Sequence, residues 1–236
     1  MLKVGGDMEC LMTTLEEKVN PQHAAVLVID IQNDFCHEDG YLRKLGLDIS
    51  ATQAMVPRLV GFIDEARKAN LKIIFVQGIY NNRYLSGPFV EKDRKHGLNN
   101  ERCLEGSWGA DFYKVTPRAN ESVIRKHRYS AFIRTELDQI LQDAGIKSLI
   151  LTGVTTNVCV ESTARDGFMR DYYIVFLSDC TATFSQEVHE TTLGNITRHF
   201  GTVTTSPEVI SVWHAYSGAL GQTGTGTPGP KAHGYR

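Results

Sequence analysis

Continuous apolar runs punctuate the chain from about residue 24 onward. Such runs are typical of strands that are buried on both faces of a parallel sheet. The runs that predict strands are AAVLVID (24–30), LKIIFVQG (71–78), ESVIRKH (121–127), KSLILTG (147–153), YYIVFLSD (172–179) and the short TVTT (202–205).

The segments between these runs have apolar residues at three- and four-residue steps, which indicates helices. The pattern predicts a helix in 51–70 with Asp48 or Ser50 as its cap, and one in 136–145 capped by Thr135. Further helices are expected from near Cys159, over 186–199 and near 206–216. Alternating strands and helices predict an α/β fold with a doubly wound parallel sheet.

The chain divides into an N-terminal extension (1–22), one α/β domain (23–216) and a C-terminal tail (217–236). The tail is rich in Gly, Thr and Pro, which predicts a flexible segment or an arm ordered by a neighbouring subunit. Inside the domain, residues 79–122 form a long stretch rich in Asn, Gly and charge. Long loops in compact domains are often functional, so this stretch is a candidate lid or pocket wall.

Composition narrows the possible functions. The 236 residues are 42% hydrophobic and 22% charged, with a formal net charge of −2, which suits one soluble globular domain. Lys and Arg form no runs, so no nucleic-acid partner is expected. No apolar stretch approaches the roughly 18 residues of a membrane span, and the acid-containing N-terminal segment is a poor secretory signal. We therefore expect no membrane partner.

Five cysteines are spread along the chain, at Cys10, Cys36, Cys103, Cys159 and Cys180. Their number is odd and no C-x-x-C occurs. A chain of this length needs no disulfides for stability. Reduced thiols and a cytoplasmic location are the expectation.

Three polar residues fall at or near the carboxyl ends of predicted strands, where doubly wound sheets bind ligands. They are Asp30, Lys126 and Cys159. Taken singly, each has an ordinary explanation. Asp30 would be a solvated strand end, Lys126 a surface cation and Cys159 a small buried core residue.

Taken together, the three residues suggest nucleophilic catalysis. A thiol in the first turn of a helix is biased toward thiolate by the helix dipole, and a nearby lysine strengthens that bias. The carboxylate of Asp30 can take the thiol proton and return it to a leaving group. The loop GVTTN (153–157) would present backbone N–H groups to a carbonyl under attack.

Three motifs resemble the signatures of the isochorismatase-like cysteine hydrolases. They are VLVIDIQNDF (26–35), KHRYSAF (126–132) and GVTTNVCVESTARDG (153–167). The resemblance spans about 22–213. It implies a three-layer α/β/α fold with a six-stranded parallel sheet and a catalytic triad of Asp30, Lys126 and Cys159. It further implies a cis peptide between Val154 and Thr155, with the N–H groups of Thr155 and Cys159 forming an oxyanion hole.

Departures from other family members help to place the chain. Isochorismatases proper lack the nucleophilic cysteine, which is present here. Nicotinamidases carry an Asp-x-His…His metal site after the second strand, whereas residues 76–93 contain no histidine and only Asp93 as an aspartate. We therefore expect no metal and no cofactor. The stretches GSWGADFY (106–113), RYSAF (128–132) and TNVCVESTARDGF (156–168) resemble the branch of ureidoacrylate amidohydrolases and related enzymes.

Six residues are candidates for substrate binding. The aromatic ones could wall a planar substrate or simply pack in the core, and the polar ones could hold a carboxylate or amide or simply face solvent. Asn157 could orient the oxyanion loop, cap the helix, or do both. The candidates are Phe35, Trp108 and Tyr129, then Asn82 and Tyr84 beside Arg83, and finally Asn157.

These features favour a cysteine-dependent amidohydrolase that cleaves a C–N bond of a small ureido, carbamoyl or amide substrate through a thioester. One alternative is a metal-free, nicotinamidase-like amidase. Another is a non-catalytic protein of the same fold that responds to oxidation of its thiol. The family resemblance also implies a homodimer or homotetramer.

Overall fold

Six parallel strands form a single sheet in the computed structural model, which describes residues 11–98 and 102–222, apart from the side chains of Asn82 and residues 217–222. The strand order is β3-β2-β1-β4-β5-β6, so both halves of the sheet wind outward from the centre. The predicted doubly wound parallel sheet is confirmed. The strands are β1 (Ala24–Ile29), β2 (Lys72–Gly78), β3 (Ser122–Lys126), β4 (Ser148–Val154), β5 (Tyr173–Ala182) and β6 (Thr202–Thr204).

Helices cover both faces of this sheet. Within the described residues they are α1 (Leu15–Lys18), α2 (Asn33–Cys36), α3 (Tyr41–Lys44), α4 (Ser50–Lys68), α5 (Gly87–Lys95), α6 (Leu137–Asp143), α7 (Glu161–Phe168), α8 (Gln186–His199) and α9 (Ser206–Gln222). Helices α4 and α9 share one apolar cluster with one face of the sheet. Helices α6, α7 and α8 share a second cluster with the opposite face. This is the expected α/β/α layering.

The apolar runs become strands because both of their faces are covered. All six residues of β1 and all seven of β4 are buried. Alternate side chains of β1 enter opposite clusters, Val26 one and Leu27 the other. A central strand of this kind is apolar at almost every residue, because helices cover both faces of the sheet and neither face meets solvent.

The helix starts differ from the sequence expectations in detail. Helix α4 begins at Ser50, whose N–H donates to the Asp48 carboxylate at 2.9 Å, and α6 begins at Leu137, whose N–H donates to the Thr135 hydroxyl at 3.3 Å. The helix expected from near Cys159 starts as a π-helical turn over Thr156–Val160, and α7 follows from Glu161. The thiol therefore sits in this π turn.

Residues 79–122 contain more regular structure than the sequence suggested. Helix α5 lies in this segment, with Pro88 in its first turn, where the missing N–H costs nothing. Two single 3-10 turns accompany it, Asn82–Tyr84 and Trp108–Ala110. The segment thus contains regular secondary structure.

The two chain ends proposed as separate segments lie partly outside the described residues, at 1–10 and 223–236. Helix α9 reaches Gln222, so the helix continues into the segment predicted as a tail. Across the part of the chain that the structure describes, no helix is both long enough and apolar enough to cross a lipid bilayer.

Candidate active site

The carboxyl ends of three strands bring Asp30, Lys126 and Cys159 to one place. Asp30 follows β1 directly, Lys126 is the last residue of β3, and Cys159 lies in the turn after β4. The Lys126 ammonium lies 2.8 Å from Asp30 Oδ2, and neither side chain has any exposed surface. The Cys159 thiol interacts with both, since the negative charge of Asp30 raises its pKa and the positive charge of Lys126 lowers it. The structure thus brings together the three residues that the strand ends predict.

The Lys126 ammonium is held in its charged form. Burial by itself would lower its pKa, but Asp30, Cys159 and Tyr80 beside it raise the pKa well above its ordinary value. Its remaining hydrogens are directed at the Arg128 carbonyl, 3.1 Å away, and at the Tyr80 hydroxyl, 3.4 Å away. Lys126 is therefore a fixed positive charge throughout the ordinary pH range.

An unusual backbone conformation and the hydrogen bonds of the neighbouring Gln32 side chain position Asp30. Its φ of 55° lies in the left-handed region, which few non-glycine residues adopt. Next to it, the Gln32 amide donates to the carbonyls of Gly78 and Ala110 and accepts from the Gly78 N–H, all within 3.0 Å. Apart from the ion pair with Lys126, neither Asp30 oxygen has a hydrogen-bond partner among the described residues. Lone pairs therefore remain for a proton or a substrate.

The resting sulfur of Cys159 carries its proton. Burial raises the pKa of the thiol to about 12, and the opposing effect of Lys126 does not offset this. The lysine lowers the pKa of the thiol, in the direction expected from the sequence, but the cost of desolvating the anion is larger. The thiol consequently needs a base during the reaction, and Asp30 adjoins it.

The backbone at the start of the turn that carries Cys159 has an unusual geometry. The Val154–Thr155 peptide bond is cis, as the family resemblance implies. The Thr155 carbonyl accepts the N–H groups of Val158 and Val160, at 3.1 and 3.2 Å, and the N–H of Cys159 is not among these donors. Gly153, with φ of 114°, precedes the cis peptide, and a Cβ there would collide with the Ile29 carbonyl of β1. Only glycine fits at this point.

Side chains brace the same turn. The Thr183 hydroxyl donates to Asn157 Oδ1 at 2.8 Å, which ties the turn to the residue after β5. The Thr163 hydroxyl donates to the Cys159 carbonyl at 2.7 Å and accepts the Ala131 N–H at 3.1 Å, which ties α7 to the segment after Lys126. Asn157 is therefore a brace of the turn.

A cavity of about 490 Å³ opens above the triad. Asp30 and Cys159 form part of its floor, together with Val154 and Thr155. Its walls are mostly apolar, and the few polar side chains among them come from the segment after β2, from Tyr129 and from Tyr41 in α3. The remaining lining residues are Phe35, Tyr41, Leu42, Leu45, Leu47, Tyr80, Lys92, His96, Gly97, Leu98, Arg102, Tyr129, Val158 and Phe184.

Two of the proposed substrate residues line this cavity and two do not. Phe35 and Tyr129 are in its wall. Trp108 is 48% exposed, its ring packs edge-on against His37 with ring centroids 5.0 Å apart, and it is not part of the cavity lining. The Tyr84 ring stacks on His127 at 3.6 Å and is not part of the lining either. The side chain of Asn82 lies outside the described part of the structure.

The sequence did not point to Tyr80, Lys92 and Arg102, which are three of the polar residues in the cavity wall. Tyr80 carried a usable signal, since it comes two residues after β2 and strand ends gather at the site. Lys92 and Arg102 carried none. Their position depends on the path of the segment around α5, which a charge-rich stretch of sequence does not reveal.

The donor set of the described residues does not fit a metal ion. No group of three or more His, Cys, Asp and Glu side chains there is close enough to share one. Asp93, the aspartate in the stretch where nicotinamidases place ligands, instead pairs with Lys92 at 2.8 Å and with Arg102 at 3.1 Å. Two cations beside this carboxylate leave no room for a third.

The fold and this constellation agree with the family comparison. The family model for the isochorismatase domain matches residues 24–208. The chain belongs to the isochorismatase family.

Individual relatives show which members of the family the chain is similar to. The chain is 35% identical over 217 residues to ureidoacrylate amidohydrolase RutB of Serratia proteamaculans (strain 568), covering 86% of each chain. It is 37% identical over 213 residues to the RutB of Enterobacter sp. (strain 638), covering 82% of this chain and 93% of the relative. Among solved structures, an isochorismatase-like hydrolase from Alkaliphilus metalliredigens matches with a TM-score of 0.67 and 31% identity, over 81% of this chain and 99% of that one.

Proposed function

We propose that the chain is a cysteine-dependent amidohydrolase that cleaves a C–N bond of a small ureido, carbamoyl or amide compound through a thioester. One observation carries this proposal: a buried carboxylate and a thiol line a substrate-sized cavity, and a buried ammonium pairs with that carboxylate. The relatives named ureidoacrylate amidohydrolase support the choice of a ureido substrate. The enzyme needs no cofactor for this chemistry, since acid, base and nucleophile are all side chains.

The reaction begins with a neutral thiol. Asp30 removes the proton as the Cys159 sulfur attacks the substrate carbonyl, and Lys126 stays charged beside both groups. The protonated Asp30 then gives that proton to the departing nitrogen, and the C–N bond breaks. The acyl group remains on sulfur as a thioester. Asp30 next removes a proton from water, which attacks the thioester and regenerates the thiol.

The oxyanion formed in both steps requires donors beside the sulfur. The N–H groups of Thr155 and Cys159 are assigned this role, because Thr155 directly precedes the turn that places the sulfur, Cys159 lies in that turn, and both residues line the cavity. Donors fixed before the reaction begins stabilise developing charge without reorganising, and losing one such donor costs about 100-fold or more in rate.

Release of ammonia from a panel of amides tests this function. Wild-type protein is expected to release ammonia from ureido acids faster than from nicotinamide, whereas Cys159→Ala and Cys159→Ser release none above background. Cleavage of nicotinamide alone would favour the nicotinamidase-like alternative. A reactive thiol without turnover of any amide would favour the thiol-responsive protein instead. Unchanged turnover in Cys159→Ala would remove the sulfur from the mechanism.

Two further features complete the proposal. The enzyme works in the cytoplasm, which is supported by its cysteines, because the four that the structure describes are all free thiols.

It works as a homodimer or homotetramer, which is supported by exposed apolar side chains at the end of α7, where Phe168 is 43% and Met169 is 76% exposed. Light scattering with size-exclusion chromatography measures the oligomeric state.

A further inference from the structure

One buried cation in the cavity wall has unused hydrogen-bonding capacity. Arg102 is 7% exposed, and its Nη1 donates to Asp93 Oδ2 at 3.1 Å. Its Nη2 is buried and has no hydrogen-bond partner among the described residues. Leaving charged N–H groups unpaired in a buried place costs free energy, so such a group indicates a partner that arrives from outside.

The charges of the described side chains around Arg102 do not cancel. Asp93 is fully buried and is shared by Arg102 and Lys92, which makes two positive charges and one negative charge. Lys92 also donates to the Tyr129 hydroxyl at 3.0 Å, so it is already occupied on the cavity side. The other titratable side chains in the lining, apart from its tyrosines, are Asp30, Cys159 and His96. Among the side chains that the structure describes, this part of the cavity wall therefore carries an excess positive charge, and Arg102 holds the buried donor group without a partner.

Tyr80 links this wall to the triad. The Arg102 guanidinium carbon lies 4.7 Å from the Tyr80 ring centroid, and the Lys126 ammonium lies 5.9 Å from the same centroid. Both cations thus lie against the same aromatic ring. Arg102 and Cys159 line the same cavity, so a short ligand with one end at Arg102 and the other at the triad fits this arrangement.

We infer that Arg102 is the specificity-determining residue for substrate charge, and that it binds the carboxylate of a short ureido acid whose ureido carbonyl lies against Cys159. A guanidinium presents its donors in a planar fork that matches a carboxylate, which a lysine cannot do. The apolar wall around the two ends fits the short carbon chain between them. This inference rests on the proposed function for the identity of the reacting group, and on Arg102 alone for the preference for an anion.

Matched substrates test the inference. A short ureido acid such as 3-ureidoacrylate is compared with its methyl ester, which has the same reacting group and no charge. In Arg102→Met, kcat/KM for the acid should fall by roughly 10- to 100-fold, chiefly through KM, while kcat/KM for the ester changes by less than about threefold. Arg102→Lys should recover only part of the loss, because it restores the charge and not the fork.

Two controls separate this effect from misfolding. Asp93 keeps Lys92 as a partner in Arg102→Met, and thermal unfolding of the variant verifies its fold. The exposed Arg94, on the same α5 segment, provides the matched control Arg94→Met, which removes one positive charge nearby and should leave both substrates unaffected. An equal loss in both arginine variants would overturn the inference, since it would indicate general attraction of anions rather than a binding contact.

Binding without turnover distinguishes failure of the inference from failure of the function. Calorimetry with Cys159→Ala should show the ureido acid binding more tightly than its ester, and Cys159→Ala/Arg102→Met should abolish that difference. If wild-type protein cleaves the acid and the ester equally well, Arg102 has no such role and the amidohydrolase proposal still stands. If it cleaves neither, that proposal fails, and the binding difference alone still decides whether Arg102 holds carboxylates.

Discussion

At the scale of single residues, the protonation state of Cys159 decides how the sulfur is activated. In many cysteine enzymes a cation stabilises a resting thiolate. Here Lys126 is already paired with Asp30 at 2.8 Å, so its positive charge acts on that carboxylate as well as on the sulfur. Burial is therefore the largest effect on the pKa of the thiol. The carboxylate thus does two things: it reduces the effect of the lysine on the sulfur, and it supplies the base that the neutral thiol needs.

The pH dependence of alkylation tests this account. A thiol with a pKa raised to about 12 is almost entirely protonated below pH 10, so only a small and growing fraction is thiolate. The rate of Cys159 alkylation by iodoacetamide, without substrate, should rise about tenfold per pH unit from pH 7 to 10, with no plateau. Mass spectrometry of the modified peptide measures it, with Cys159→Ser to correct for other thiols. A plateau between pH 6 and 8 would show a resting thiolate and contradict the role given to Asp30.

At the scale of elements, the π turn over Thr156–Val160 is the part that must hold its shape. It is fixed to β5 through the hydrogen bond from Thr183 to Asn157 and to α7 through the hydrogen bond from Thr163 to the Cys159 carbonyl. Neither bond touches the reacting atoms. Both restrict where the sulfur and its neighbouring N–H groups can lie, and small displacements of such groups reduce rates strongly.

Removing one of these braces should affect turnover more than stability. Thr183→Val keeps the side-chain volume and deletes the hydroxyl, so kcat should fall roughly tenfold while the free energy of unfolding falls by about 1 kcal/mol. The matched control is Thr181→Val. That hydroxyl donates to the Leu177 carbonyl within the same strand, so its loss should lower stability similarly and leave kcat unchanged. Equal effects of both variants on kcat would show that the brace does not position the sulfur.

The elements also show what the sequence can predict. Strands such as β1 and β4 are predictable because burial on both faces forces an unbroken apolar run. Asp30 and Lys126 are predictable because they end such strand-like runs, and Cys159 because it lies in the turn that follows one. The α5 segment has no such constraint. Its polar side chains reach the cavity only because the segment folds back over the sheet edge, so Arg102 and Lys92 are visible in the structure and not in the pattern. For the same reason the sequence placed Trp108 near the substrate, although its ring packs on His37.

At the scale of the whole molecule, the apolar clusters that stabilise the fold and the cavity proposed for catalysis lie in different parts of the structure. The two apolar clusters lie on either side of the sheet, whereas the cavity lies beyond the carboxyl ends of its strands. Parallel sheets commonly bind ligands at that edge, since the loops there can vary without disturbing the core. The triad is not fully separate from the core, because it includes a buried ion pair and because Cys159 belongs to one of the clusters, although its side chain contributes only one sulfur atom to the packing.

Two truncations should therefore have opposite consequences. Leu27→Ala removes a fully buried side chain at the centre of β1 and should lower the free energy of unfolding by about 2–5 kcal/mol, while kcat of the folded protein at low temperature stays within about twofold of wild type. Cys159→Ala should abolish turnover and change the free energy of unfolding by no more than about 1 kcal/mol. Urea unfolding followed by circular dichroism, together with the ammonia assay, measures both quantities. If Cys159→Ala unfolded the protein as readily as Leu27→Ala, the sulfur would belong to the structural core, and loss of turnover in that variant could no longer be attributed to the missing nucleophile.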